Sequence, residues 1–220
     1  ALNADPNQPL LNRPLAMTLP PGSTFKLVTA AAALESGDYT ADSELPGPKQ
    51  INLPGTDVEL GNWNSKSCGT DEVTTLQKAL EISCNTAFAW LGMELGADAI
   101  DEQARKFGFE SEFEVPMMAA VSKFPTDLNK PQTAMSAIGQ FDVRATALQM
   151  AMVAGGIAND GVVMKPFLVS QVLGTDLAVL QSTTPSAFGR AMSNGNAKIL
   201  QEMMIGVVRD GTASKARIAG

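Results

Sequence analysis

The stretch Pro20-Pro21-Gly22-Ser23-Thr24-Phe25-Lys26 sets a hydroxyl and an amine three residues apart at the head of an apolar run. On a helix, positions i and i+3 share one face with Cβ atoms roughly 5–6 Å apart, so the spacing predicts Ser23 and Lys26 as neighbours. A lysine among apolar residues is pushed toward its neutral form. A neutral amine beside a serine hydroxyl is a general base beside a nucleophile. The start of a helix adds free backbone N–H groups and a dipole that favour developing negative charge. The same letters also allow a plainer reading, in which Ser23 or Thr24 merely caps a helix.

The chain contains no histidine. That excludes a Ser-His-Asp or Cys-His pair and any histidine-bearing metal site, and two cysteines are too few for a zinc cage. A base working near neutral pH must therefore be lysine, a carboxylate or tyrosine. A second hydroxyl of interest is Ser83 in Ser83-Cys84-Asn85, which also opens a helical stretch and would also serve as an N-cap.

The elements that must carry these residues are mainly helical. A chain of 220 residues suffices for one sizeable domain, and 45% hydrophobic with 18% charged residues suits a packed globule. A helix is expected from Thr24 to Ser36, stopped by Gly37, and its nearly continuous apolar character marks it as a core helix. Residues 38–71 read as loop with short strands. Thr74–Leu80 is expected to be a short helix, Asn85–Leu95 a second, and a third runs from an Asp98 cap to Phe107. Residues 109–132 read as irregular. Ala145–Asp160 is predicted helical, and GVVMKPFLVSQVLG supplies a strand. A last helix opens at Ser193 or Asn194 and ends at Arg209-Asp210-Gly211. The net charge of −7 argues against a nucleic-acid partner. No apolar run is long enough to cross a bilayer, and the first residues lack the basic and apolar regions of a signal peptide.

Ser-x-x-Lys followed 60 residues later by Ser-x-Asn, in a chain without histidine, is the arrangement of penicillin-recognising serine acyl-transferases. The sequence resembles the transpeptidase domain of class B penicillin-binding proteins over nearly its whole length. The resemblance rests on PPGSTFK and SCNTAF in that order. It is supported by LLNRP, ALESG, GNWN, TTLQKAL, ARKFGF, the segment from IGQ to TALQMA with its IANDG, and VRDGTA. It implies an α+β penicillin-binding and serine β-lactamase-like fold, mainly helical here. It implies that Ser23 is the acylated nucleophile, Lys26 its base, Ser83 a proton relay to the leaving amine, and Asn85 a hydrogen-bond partner of the acyl donor's amide. The implied reaction attacks D-Ala-D-Ala stem peptides and cross-links the wall for cell shape and division, with β-lactams as covalent inhibitors. No cofactor or metal is implied. Partners would be peptidoglycan stem peptides and wall-assembly or divisome proteins, at the outer face of the bacterial cytoplasmic membrane, anchored by a segment not in this chain.

The family's third motif, Lys-Thr-Gly or Lys-Ser-Gly, does not occur, and neither do the strands that precede the nucleophile helix. Residues 1–220 are therefore expected to be an incomplete transpeptidase domain, inert if complete as written. The resemblance leaves a D,D-carboxypeptidase, a β-lactamase and a non-catalytic sensor or scaffold as alternatives. The extracytoplasmic setting it implies permits a Cys68–Cys84 disulfide, against which stands a pair of buried thiols. Trp63 is expected to anchor a loop rather than to line the substrate groove, and Gln140, Thr146 and Gln149 to belong to the scaffold. Glu81 and Asn85 form an E-x-x-x-N, but a deacylating role for Glu81 is not expected.

Overall fold

The computed structural model describes residues 5–113, 115, 117 and 119–218. A single helical turn, α1 (Arg13–Ala16), leads to a 3-10 turn over Gly22–Phe25 and then α2 (Lys26–Ser36). Four short strands, β1 (Glu44–Pro46), β2 (Gln50–Asn52), β3 (Glu59–Gly61) and β4 (Val73–Thr75), precede α3 (Leu76–Glu81), α4 (Asn85–Leu95) and α5 (Ala97–Lys106). Then come α6 (Lys130–Ala137), α7 (Ala147–Ala158), β5 (Val162–Met164), β6 (Gln171–Leu173), β7 (Val179–Ser182), β8 (Ala187–Arg190) and α8 (Asn194–Arg209). Among the described residues the strands pair only in twos, all antiparallel: β1 with β4, β2 with β3, β5 with β8 and β6 with β7.

Helix α2 runs through the core. Val28, Thr29, Leu34 and the run Ala30–Ala33 are all buried, and α4, α5 and α8 pack around them. Alanine suits this position because a helix enclosed on several sides needs small side chains for its neighbours to approach. Gly37 closes α2 at φ +81°, a conformation that glycine adopts without Cβ strain. Phe25, wholly buried, stacks on Phe124 at 5.7 Å and meets Phe109 edge-on at 5.6 Å, so the backbone just before Lys26 is pinned in an aromatic cluster.

Several boundaries differ from the sequence expectation. The predicted helix from Thr24 begins as a 3-10 turn, and regular α-helix starts only at Lys26. Thr74 and Thr75 belong to β4, with the Thr75 hydroxyl capping α3. Asp98 lies inside the first turn of α5, where an acidic group favours the dipole, and Gly96 holds the cap position. The segment expected to be irregular up to residue 132 already contains the start of α6, opened by a capping box between Asn129 and Gln132. The single strand read in residues 161–174 is two, β5 and β6, because Pro166 has no N–H to continue the ladder.

Candidate active site

The Ser23 turn is built from backbone. Gly22 adopts φ +56° and donates its N–H to the Gly139 carbonyl at 2.9 Å, while the Thr24 hydroxyl donates to Pro21 O at 2.7 Å. Gly139, at φ +72°, lies so close beneath that an added Cβ would sit 2.1 Å from Gly22 O and 2.8 Å from the Phe25 Cβ. Ser23 is thereby held at the surface and Phe25 in the core, with Lys26 turned inward and 1% exposed.

A second turn joins α3 to α4. Cys84 N–H bonds Ala79 O at 2.8 Å and Ser83 N–H bonds Leu80 O at 3.1 Å, which leaves Ser83 at φ +57°. A left-handed serine is strained by about 1–3 kcal/mol and persists only where surroundings impose it. The imposing group is Asn62. Its buried side chain accepts from Asn85 N–H at 2.9 Å and Thr86 N–H at 3.1 Å, and donates to Pro48 O and Lys66 O at 3.0 and 2.9 Å. Ser83 is thus not the N-cap of α4. Cys84 holds that position and Asn62 satisfies the first amides.

Lys26 connects the two turns. Its Nζ donates to Ser83 O at 2.9 Å, Ser83 Oγ at 3.0 Å and Asn85 Oδ1 at 2.8 Å, and lies 5.6 Å from the centre of the Phe88 ring. Burial pushes the amine down from the usual lysine range to about 7. A neutral amine keeps two hydrogens, which match the two carbonyl-type oxygens, and its lone pair is left to face a hydroxyl proton. Asn85 is oriented by a bond from its Nδ2 to Gly61 O at 3.2 Å, and its second amide hydrogen is left for a ligand. The partnership read from the i, i+3 spacing is not a direct one here. No hydrogen bond joins Ser23 to Lys26, because the 3-10 turn gives the serine a different rotation from a regular helix.

Ser23, Ser83 and Asn85 open into one cleft of about 700 Å³, lined also by Trp63, Ile82 and the segment from Asp210 to Thr212. Thr212 N–H holds that last segment to Glu81 O at 3.0 Å. An apolar groove of similar size between α7 and α8 holds no nucleophile or base and is not the place of chemistry. Glu81 itself is buried, bonded to Lys78 and Gln77, and turned toward Gly206 of α8. Thr146 caps α7, and buried Gln149 bonds Phe107 O at 2.8 Å. Trp63, expected to be an anchor, is 68% exposed and lines the cleft, with its indole N–H bonded to Ile82 O at 3.1 Å. Asn62 and Gly139 escaped the sequence reading. The only signals for them were the Gly61 and Trp63 flanking one and the end of α6 preceding the other.

Compared with known proteins, residues 1–220 match the family described as the penicillin binding protein transpeptidase domain. The chain belongs to that family. It is 40% identical over 220 residues to the peptidoglycan D,D-transpeptidase PbpA of Mycolicibacterium smegmatis, covering all of this chain and 44% of that protein. It is 30% identical over 230 residues to the peptidoglycan D,D-transpeptidase MrdA of Escherichia coli, covering 98% of this chain and 36% of that one. The solved ceftriaxone acyl-enzyme of penicillin-binding protein A from M. tuberculosis superposes with TM-score 0.94 at 39% identity, covering the whole chain and 49% of that structure. The resemblance to class B transpeptidase domains is thus borne out, with actinobacterial penicillin-binding protein A among the matches, and so is the α+β fold. The chain spans less than half the length of these relatives.

Cys68 and Cys84 form the expected disulfide, with Cα atoms 6.0 Å apart and a sequence separation of 16. It ties the α4 cap, and so the Ser83 turn, to the loop beyond Asn62. Replacing both cysteines by alanine is expected to cost about 3 kcal/mol in the chain-entropy account. At this chain length that is a loss of roughly 6–12 °C in melting temperature, read by circular dichroism. A shift under 2 °C would show that packing alone holds the turn.

Proposed function

We propose that this chain carries the acylation centre of a peptidoglycan D,D-transpeptidase. The observation behind the reading is a buried, easily neutralised Lys26 amine bonded to both Ser83 and Asn85 beneath the cleft into which Ser23 opens. When an acyl donor is bound, Ser23 Oγ bonds to the D-Ala-D-Ala carbonyl carbon as its proton passes to the Lys26 lone pair, a contact that tightens in the complex. The Ser23 backbone N–H faces the developing oxyanion. The C–N bond then breaks, and the Lys26 proton reaches the departing D-Ala amine through the Ser83 hydroxyl. Asn85 holds the donor's amide with its free N–H. An amine from a neighbouring stem peptide next attacks the ester, regenerates Ser23 and forms the cross-link.

The same centre takes β-lactams, whose strained amide opens to an ester without a departing group. Residues 1–220 are read as one portion of a larger transpeptidase domain, in keeping with the share of the relatives that they span. The enzyme would act at the outer face of the cytoplasmic membrane, on stem peptides and alongside wall-assembly or divisome proteins. No described helix is long and apolar enough to cross a membrane.

Intact mass spectrometry of the longer protein of which residues 1–220 are read as a portion, after exposure to penicillin G, tests the reading. One penicilloyl adduct is expected, located on the peptide that contains Ser23 and absent in Ser23→Ala. No adduct, or an adduct that survives the substitution, overturns it. An adduct lasting hours marks a transpeptidase, whereas one shed within seconds would make the protein a β-lactamase.

A further inference from the structure

We infer that Gly211 is a positioning residue for Ser83: it lets the end of α8 clasp the Ser83 turn and so holds the relay hydroxyl in place. The inference rests on the acylation reading above and deepens it. It gives a role to the VRDGTA segment, Val208 to Ala213, which the mechanism does not otherwise use.

The turn that closes α3 must satisfy its last carbonyls, and each from Lys78 to Ser83 has a donor. Lys78 O accepts from Ile82 N–H at 3.1 Å, Ala79 O from Cys84 N–H at 2.8 Å and Leu80 O from Ser83 N–H at 3.1 Å. Ile82 O accepts from the Trp63 indole and Ser83 O from Lys26 Nζ. The carbonyl between these sets, Glu81 O, is served from α8, by Thr212 N–H at 3.0 Å with the Thr212 hydroxyl at 3.5 Å. Glu81 is buried, so losing that donor would orphan its carbonyl.

Thr212 reaches Glu81 because position 211 carries no side chain. A Cβ there would lie 2.2 Å from Glu81 O and 2.8 Å from Val207 O, both backbone atoms. Val207 O is itself bonded to Ala213 N–H at 3.1 Å, so the end of α8 has no slack. Gly206 makes the matching space for the side chain, since a Cβ there would lie 2.5 Å from Glu81 Oε1. That carboxylate is fixed in turn by Gln77 and Lys78. Ser83 keeps its left-handed conformation only while both flanks of the turn are held. Asn62 holds the later flank, at Asn85 and Thr86, and Thr212 the earlier one, at Glu81.

Two acyl donors that differ in what leaves test this role. The nitrogen of penicillin G takes a proton as its C–N bond breaks, and in the acylation reading Ser83 delivers it. The benzoyl-D-alanyl thioester of mercaptoacetic acid loses a thiolate, which departs without a proton. Acylation rate constants at saturating donor are measured by stopped flow on the longer protein of which residues 1–220 are read as a portion. Gly211→Ala is expected to slow acylation by penicillin G about tenfold, a partial loss of the proton-transfer contribution, and to leave the thioester within about twofold. Ser83→Ala should show the same selectivity more strongly. Equal slowing with both donors, or wild-type rates with both, would mean that the clasp serves stability alone, and would overturn the inference. If Gly211→Ala does not fold, Gly206→Ala decides, because its methyl meets the Glu81 side chain rather than backbone. It should slow penicillin G selectively, with relief when Glu81→Asp withdraws the carboxylate; slowing without selectivity overturns the role. Wild type that forms no Ser23 adduct with either donor sinks the acylation reading and this role with it.

Discussion

Lys26→Arg is expected to lower the rate of Ser23 acylation by penicillin G about 10³-fold or more at pH 8, at the upper part of the range for removing a positioned general base. Arginine fills much of the same space but stays protonated at every accessible pH, so it has no lone pair to take the serine proton. In the wild type the rate should rise about tenfold per unit up to the Lys26 pKa of about 7 and then level off, since only the neutral amine is a base. A pH-independent rate between 5 and 8, or an Arg variant within tenfold of wild type, would remove Lys26 from the mechanism.

The same burial carries a stability signature. Lys26 holds its proton in the unfolded chain up to about pH 10.5 but in the fold only up to about 7. Between those values the unfolded state binds more protons, so stability rises with pH through that window, and the penalty is fully present below it. Against a Lys26→Met reference, which does not titrate, the wild type should gain about 2 kcal/mol from pH 7 to pH 9, measured by urea denaturation. A flat difference would place the amine in a wetter site than the structure shows.

The second large effect concerns Gly139. Gly139→Ala is expected to slow acylation about a hundredfold, the scale of a 1 Å misplacement of a reacting group, and to destabilise by about 3 kcal/mol. Two causes act together: φ is +72°, and the new methyl would lie 2.1 Å from the Gly22 carbonyl, a backbone atom that cannot step aside without moving Ser23. The pH midpoint of acylation should stay in place, because Lys26, Ser83 and Asn85 are held from other elements. Gly155→Ala is the control, since its Cβ meets nothing within 4 Å in the middle of α7, and it should stabilise slightly. Wild-type acylation in Gly139→Ala would show that the turn does not depend on this contact.

Helix α4 was legible from Asn85 to Leu95 because a continuous helix-forming run ends at a glycine, and α8 was legible from Ser193 because a serine cap precedes a helical period. Such signals are local: capping and 3.6-residue periodicity act within a few neighbours. Helix α6 was missed although its capping box is equally local, since Lys130-Pro131 reads as a break before it reads as a first turn. Strands β7 and β8 went unread because exposed hairpins carry little alternation.

By itself the sequence determined the kinds of group available: a serine and a lysine one turn apart, a Ser-x-Asn, two cysteines and no histidine, hence an amine-based acyl transfer if any chemistry at all. Only the tertiary structure decided how those groups meet. Lys26 bonds across 57 residues to Ser83 rather than to its neighbour Ser23, Asn62 imposes the left-handed serine from 21 residues away, and Gly139 supports the Ser23 turn from more than a hundred. Each is a contact between distant segments, fixed by how α2, α4 and α6 pack and by which backbone groups are left to be satisfied where they touch.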